Sequence, residues 1–422
     1  MGDTYLPRIS DVKLQSALNS SGAVLITGPK RCGKTRTAEE ASKSALYVQD
    51  PNHRDEYRLT AEIKPSKLLE GEAPRLLDEA QDAPALWNAV GKTIENKPRP
   101  GQFILTCSAL PSQTGDMFAG TERISRIAMR TMSLYESCDS TGAVSLKCLF
   151  EGKTGMSGKS YLTTGQLACV AARGGWPEAV VEEYQKNALK IPYKYLDAIV
   201  HIDISETDGV ARDPDRVYSL TRSISRNLSD PAETAALVRD LQSNGEPLSN
   251  KTVDDYISAL KNIFIVEDLP AWRPFLRSKR AVRTTAKRYL TDPSLAAAAL
   301  NMDARKLQND SKYFSRMFKS LCVRDLRIYS DAVGGNVYHY RDQLNVEIDA
   351  ITQLKDGSWG AVAFSMGAGE IKKAADNLLK FSDNIDTRKM PGSSFLMVLT
   401  GTEYAFQMKN GVWVVPLGCL RD

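Results

Sequence analysis

The chain has 422 residues, long enough for two or three domains that each bury a core. Its composition, 42% hydrophobic and 25% charged, is that of an ordinary soluble protein, and a formal net charge of +4 leaves any nucleic-acid footprint to local clusters. Seven cysteines without a C-x-x-C pair, three histidines, no membrane-length apolar run and no signal-peptide core argue against a zinc site, a disulfide framework and a membrane span, and point to the cytoplasm.

Residues 1 to about 137 alternate helical and strand-like stretches, as βαβ units around a parallel sheet do. Val24-Leu25-Ile26-Thr27 reads as a buried strand, and the following GPKRCGKT, Gly28 to Thr35, fits the phosphate-loop pattern G-x-x-x-x-G-K-[ST]. Gly28 and Gly33 let the loop curl until successive backbone N–H groups face a phosphate, an approach that a Cβ would obstruct. The nucleotide-binding candidates are therefore Gly28, Pro29, Lys30, Arg31, Cys32, Gly33, Lys34, Thr35 and Arg36. Lys34 can reach the β- and γ-phosphates of ATP, and the Thr35 hydroxyl can ligate Mg²⁺. A helix beginning near Lys34 adds the positive end of its dipole.

Ala45 to Val48 is the expected second strand. Ala73 to Glu79 reads as a short apolar strand ending in two carboxylates, of which Asp78 would hold the Mg²⁺ shell and Glu79 would polarise the attacking water as general base. Phe103 to Ser108 is the next strand, and Ser108 or Thr106 would sit beside the γ-phosphate if that strand neighbours the one carrying Asp78. A further strand is expected within Ile127 to Tyr135.

Residues 138–160, rich in Ser, Gly, Thr and Lys, read as a loop or mobile linker. From Leu162 to about Ser205 the pattern turns helical, interrupted by RGGWPE (Arg173 to Glu178), where Trp176 reads as a core anchor. Helices around Val217–Asn227 and Ala232–Gln242 precede one at Thr252–Phe264, capped by Ser249 or Asn250, whose Val253, Ile257, Leu260 and Phe264 form a core-facing stripe. Ile265-Val266 and Lys287 to Leu290 read as a hairpin. Three helices and a hairpin make a winged helix-turn-helix. Seven basic residues and no acid fall between Trp272 and Arg288: Arg273, Arg277, Lys279, Arg280, Arg283, Lys287 and Arg288. Such a wing could follow the backbone of duplex DNA. Asp254 and Asp255, near the start of the recognition helix, speak against base reading.

From about Asp310 onward the order is helix (Phe318–Tyr329), strands at Val337–Tyr340, Glu347–Ile351 and Gly360–Ser365, a helix at Ile371–Phe381 and a strand at Ser394–Leu399. This order resembles the restriction-endonuclease core, whose chemistry needs an acid on one strand and acid-x-lysine on the next. Asp349 stands at the first position with Glu347 on the same face. The acid-x-lysine segment is Ala363-Phe364-Ser365, and the helix position that is often acidic is Lys319, so no nuclease activity is expected. Glu370 or Lys372 would have to migrate in to restore it.

YLPRI (Tyr5 to Ile9), GPKRCGKT, LLDEAQ (Leu76 to Gln81), ILTCSA (Ile104 to Ala109), RISRIAMRTMSLYES (Arg123 to Ser137) and RGGWPE together resemble AAA-family ATPases usually called "ATP-binding protein", along essentially the whole chain. Those proteins carry a C-terminal domain of unknown function that resembles restriction endonucleases. The resemblance implies an ATP-hydrolysing core with Ser108 as γ-phosphate sensor and a helical lid. It also implies that Arg123 or Arg126 approaches a phosphate, which from a neighbouring subunit would require a homo-oligomer. From the residues alone, Arg123, Arg126 and Arg130 read equally well as a solvated edge.

The expected fold is therefore α/β: a phosphate-loop NTPase parallel sheet (1–137), linker and helical lid (138–205), winged helix-turn-helix (206–300) and an α/β endonuclease-like domain (301–422). Two functions follow. One is a Mg²⁺-dependent ATPase whose turnover moves the appended domains. The other is a nucleotide-gated DNA-binding protein using Arg273, Arg277, Lys279, Arg280 and Arg283, its C-terminal domain a non-cleaving scaffold.

Overall fold

A computed structural model describes residues 5–109, 124–206, 209–231, 233–277 and 281–422. By contact density the chain divides into two units. The first comprises Met1–Thr131, His201–Arg212 and Ser258–Ile265, and the second comprises Met132–Val200, Asp213–Ile257 and Val266–Asp422.

In the first unit, β1 (Ala23–Thr27), β2 (Ser44–Tyr47), β3 (Arg75–Asp78), β4 (Phe103–Cys107) and β5 (Ile124–Ala128) form a sheet in the order β2-β3-β4-β1-β5. Every pairing in it is parallel. Parallel neighbours need crossover connections, which here contain α2 (Lys34–Ala41), α3 (Arg54–Ile63) and α4 (Ala85–Asn96), while α1 (Ile9–Ser20) precedes β1. The strand period of two divides the apolar residues between two cores. Ala23, Leu25, Leu77 and Leu105 join Trp87 and Val90 in one, whereas Val24, Ile26, Leu76 and Ile104 join Leu14 and Leu18 in the other. Burial of both faces explains why β1 and β4 read as continuous apolar runs. β5 begins and ends earlier than the expected Ile127–Tyr135. Beyond Met129 the backbone enters turns, and the Glu136 carboxylate accepts both the Ser133 N–H (2.7 Å) and its hydroxyl (2.9 Å), a local closure that competes with extension.

In the second unit, residues 138–160 are not a free loop. They contain β6 (Val144–Ser145), α5 (Leu146–Phe150) and β7 (Gly158–Lys159). The remaining strands are β8 (Val266–Leu269), β9 (Lys287–Leu290), β10 (Gly335–Arg341), β11 (Glu347–Leu354), β12 (Trp359–Ser365), β13 (Phe395–Thr400), β14 (Tyr404–Gln407), β15 (Trp413–Pro416) and β16 (Leu420–Arg421). β6 pairs with β16, and β7 closes a seven-stranded sheet in the order β10-β11-β12-β13-β15-β14-β7. Two-residue strands show no periodicity, and their partners lie at the far end of the chain, so composition alone reads them as a loop.

The helices of this unit include α6 (Thr164–Arg173), α7 (Pro214–Arg226), α8 (Thr234–Ser243), α9 (Asn250–Asn262, which runs on into the first unit's residues), α10 (Pro293–Ala299), α11 (Ser311–Ala332) and α12 (Ile371–Asp383). Ser249 caps α9, its hydroxyl accepting from the Thr252 N–H at 3.1 Å. β8 and β9 pair antiparallel, so helix-helix-helix-hairpin is the observed order. The helix-strand-strand-strand-helix-strand order read from residue 310 onward is likewise observed, as α11-β10-β11-β12-α12-β13.

RGGWPE is a packing motif. Trp176 is fully buried, stacks on Tyr195 at 4.5 Å and donates its indole N–H to the Ser294 hydroxyl at 2.9 Å. A Cβ on Gly175 would lie 2.0 Å from the Met132 carbonyl oxygen. Beside this turn, Arg324 bonds Asp292 (3.1 Å) and Asp325 (2.8 Å), all three buried. Backbone donors complete the cluster: Gly175 N–H to Asp292 and Leu134 N–H to Asp325. Buried charge is tolerated where it is paired and hydrogen-bonded in this way.

Candidate nucleotide site and the C-terminal carboxylates

The loop after β1 carries the expected conformations. Gly33 lies at φ 105°, Arg31 at φ 62°, and a Cβ on Gly28 would fall 2.0 Å from the Met129 carbonyl oxygen, so a side chain there cannot be accommodated. α2 starts at Lys34, immediately after Gly33. The Lys34 ammonium is buried, 3% exposed, and donates to the Pro29 carbonyl at 3.0 Å. Cys32 is buried, its thiol 3.6 Å from Met129 O. Lys30 pairs with Asp203 at 2.7 Å, within the same unit. Arg36 turns onto its own helix, near Glu39 (3.5 Å) and Glu40 (3.1 Å).

β3 and β4 are neighbours, which brings the acidic pair to the loop. The Thr35 hydroxyl donates to Asp78 Oδ1 at 2.9 Å, and the Thr106 hydroxyl donates to the same oxygen at 2.7 Å. Burial pushes the Asp78 carboxyl above its ordinary range, against the pull of both hydroxyls and of Lys34. Glu79 takes a left-handed backbone, φ 54°, and its N–H donates to Thr106 Oγ1 at 2.8 Å. Its carboxylate oxygen Oε2 accepts from Ser108 Oγ and from Gln81 Nε2, both at 2.5 Å. Thr35, Asp78, Glu79, Thr106 and Ser108 thus form one hydrogen-bonded set, with the Lys34 charge acting on Asp78.

Two members were not singled out from sequence. Gln81 also reaches Ser108 Oγ, at 3.2 Å. Arg8, buried, spans the Cys32 carbonyl (2.8 Å) and the Arg130 carbonyl (2.9 Å), pinning the loop from outside. The available signals were only their motif positions, in LLDEAQ and YLPRI. Arg126 lies exposed on the edge strand β5, in register with Leu25 rather than with the loop. Arg123 lies outside the described residues, as do Lys279 and Arg280.

The basic hairpin differs from a free wing. Lys287, 2% exposed, is ion-paired with Glu347, and Arg288 with Asp268 at 3.1 Å. The connection between β8 and β9 is bridged to the C-terminal sheet through Ala271–His339 and Val282–Asp342. Arg273, Arg277 and Arg283 remain exposed. An arginine-rich run reads as solvated from composition, but Lys287 is paired with a carboxylate of β11 and Arg288 with its cross-strand neighbour on β8.

Glu347 and Asp349 do share the start of β11, but each meets a lysine. Lys319 on α11 donates to Asp349 Oδ1 at 2.8 Å, while the Phe364 N–H donates to Oδ2 at 2.9 Å. Burial works against the Lys319 ammonium, but Asp349 overrides it and raises its pKa. Across β11, Ser365 donates to the Gly367 carbonyl at 2.9 Å, and Glu370 and Lys372 are exposed. Among the described residues no group of three His, Cys, Asp or Glu could hold a metal ion, and no helix is long and apolar enough to cross a membrane.

Residues 20–138 match the family model described as "AAA domain", and residues 165–306 match a domain of unknown function (DUF8612). Over 417 residues the chain is 23% identical to an uncharacterized protein of Mycobacterium tuberculosis and, equally, to one of Mycobacterium bovis, covering 97% of this chain and 83% of each relative. Among solved structures, the Walker-type ATPase of Pyrococcus abyssi aligns with a TM-score of 0.42 at 13% identity, covering 69% of this chain and 94% of that one.

Proposed function

Taking residues 20–138 as an AAA-type phosphate-loop domain, we propose that the chain binds Mg²⁺-ATP and hydrolyses it to ADP and phosphate. One observation carries this reading: the Thr35 hydroxyl and the Asp78 carboxylate meet at 2.9 Å beside an inward-turned loop lysine. That oxygen pair fits a hard divalent cation, which when bound would offset charge on the β- and γ-phosphate oxygens. Lys34 exchanges the Pro29 carbonyl for phosphate oxygens. Glu79 orients water for in-line attack on the γ-phosphorus. As the bond to the β–γ bridging oxygen breaks, ADP leaves and the water proton passes to Glu79. Ser108, bonded to that carboxylate, senses the γ-phosphate. In-register pairing with Leu25 puts Arg126 three residues short of Gly28, about 10 Å along the strand direction. Its role is therefore toward a phosphate in a neighbouring copy.

The finer readings belong to the same proposal. α7–α9 with β8–β9 form a winged-helix module, α6 with the helical stretch that follows it as far as about Ser205 a lid, and α11–β13 an endonuclease-like core that does not cleave. Turnover moves these appended domains. Duplex-DNA binding through the hairpin connection is the second reading: of the residues it uses, Arg273, Arg277 and Arg283 are exposed, whereas Lys287 and Arg288 at its base are paired within the fold.

The test is nucleotide calorimetry and ATP turnover on the full chain. Lys34→Ala should lose nucleotide binding, and Glu79→Gln should bind but not turn over. Wild-type protein that takes up neither adenine nor guanine nucleotide would overturn the proposal.

A further inference from the structure

A cleft of about 430 Å³ opens in the second unit, where the connection between β8 and β9 runs along the edge strand β10. That volume lies within the range of ligand sites. Its walls include three aromatic rings (Trp272, Phe275 and Tyr338) and two cations (Arg273 and Lys389), and among the described residues no carboxylate lines it.

The Trp272 ring and the Phe275 backbone are held in place. The Trp272 N–H donates to the His339 carbonyl at 2.7 Å, its indole N–H donates to Gln353 Oε1 at 3.0 Å, and its ring packs on Trp359 at 4.9 Å. Phe275 is 56% exposed, yet its carbonyl accepts from the Asp386 N–H at 2.8 Å and its own N–H donates to Met390 Sδ at 3.4 Å. Its exposed ring therefore stands at the mouth of the cleft on an anchored backbone, where a flat apolar face could stack on it. The Lys389 ammonium stands 6.0 Å from the centre of that ring. The acids near the rim are engaged: Asp386 with the Arg388 guanidinium at 2.9 Å, and exposed Asp356 with the Ser358 N–H at 2.9 Å.

We propose that this cleft binds single-stranded nucleic acid, with bases stacked on Phe275 and Tyr338 and phosphates met by Arg273 and Lys389. The occupant must offer flat apolar faces and regularly spaced negative charge, and an unpaired polynucleotide offers both. A duplex keeps its bases stacked inside and cannot present them to the rings. The inference is independent of the ATPase reading, since none of these residues belongs to the phosphate-loop set.

The experiment is fluorescence anisotropy of the full chain with labelled oligo(dT) of about 16 nucleotides, beside a duplex of equal length. The single strand should bind more tightly than the duplex, with affinity falling as salt rises. Phe275→Ala should weaken it about tenfold, the worth of one stacked base. Arg273→Glu with Lys389→Glu should weaken it further and flatten the salt dependence, with the thermal midpoint unchanged. Absence of binding, equal or tighter duplex binding, displacement by an equal concentration of mononucleotide, or wild-type affinity in all variants would each overturn the proposal.

Discussion

Ser108 Oγ and Gln81 Nε2 both donate to Glu79 Oε2 at 2.5 Å, tying the end of β3 to the end of β4 through one carboxylate oxygen. The tie places the proposed general base under the control of the residue proposed to sense the γ-phosphate. Glu79→Gln should keep nucleotide affinity and lower turnover on the order of 10²–10³-fold. Ser108→Ala and Gln81→Ala should each lower turnover about tenfold with affinity unchanged, since each removes one anchor rather than the base. Wild-type turnover in both alanine variants would reject the coupling.

Asp78 Oδ1 accepts hydrogen bonds from two hydroxyls, so Asp78→Asn keeps the shape but loses the charge a Mg²⁺ shell requires. Half-maximal turnover should then need about tenfold more Mg²⁺. The readout is a Mg²⁺ titration of ATPase rate, and an unchanged midpoint would remove Asp78 from the metal's shell.

At the C-terminal cluster, Lys319 fills the place beside Asp349, with the Lys319 side chain 35% exposed. Lys319→Met should cost about 1–2 kcal/mol, below the full cost of breaking a buried pair because solvent screens this one. Lys319→Met combined with Asp349→Leu should recover part of the loss, which a double-mutant cycle in urea would measure. Wild-type protein should cleave neither DNA nor RNA with Mg²⁺ or Mn²⁺. Cleavage abolished by Asp349→Ala would show the lysine clamp to be wrong.

His339 is 1% exposed, and burial, with the nearby Lys287 ammonium, depresses its pKa to about 4. Its Nε2 faces the Thr285 carbonyl at 2.9 Å and therefore carries the proton, while buried Nδ1 has no partner among the described residues to receive a second. The folded state thus favours neutral imidazole. Its contribution is intact above the unfolded pKa of about 6.5 and is lost as pH falls from there toward 4, on the order of 3 kcal/mol in all. His339→Gln should flatten the stability curve in that window. An unchanged slope between wild type and variant would refute the assignment.

Gly175→Ala places a methyl against a backbone carbonyl, which no rotamer change can relieve. A loss of about 2–4 kcal/mol is expected in thermal or urea unfolding, with the damage at the RGGWPE turn.

The amino-acid sequence by itself determined the phosphate loop, the acidic pair at the end of β3, the strand leading to Ser108 and the helix-then-hairpin order, because apolar period and glycine placement act over a few residues. It marked Asp349 and Glu347 as neighbours on one face for the same reason. Only the tertiary structure decided which partners those groups meet. Lys287 finds Glu347 sixty residues away, Arg8 finds the Cys32 carbonyl, and β6 finds β16 at the opposite end of the chain. A charged side chain written in sequence carries no record of which opposite charge will desolvate it. The basic run looked available for that reason, and packing shows that Lys287 and Arg288 are engaged within the fold.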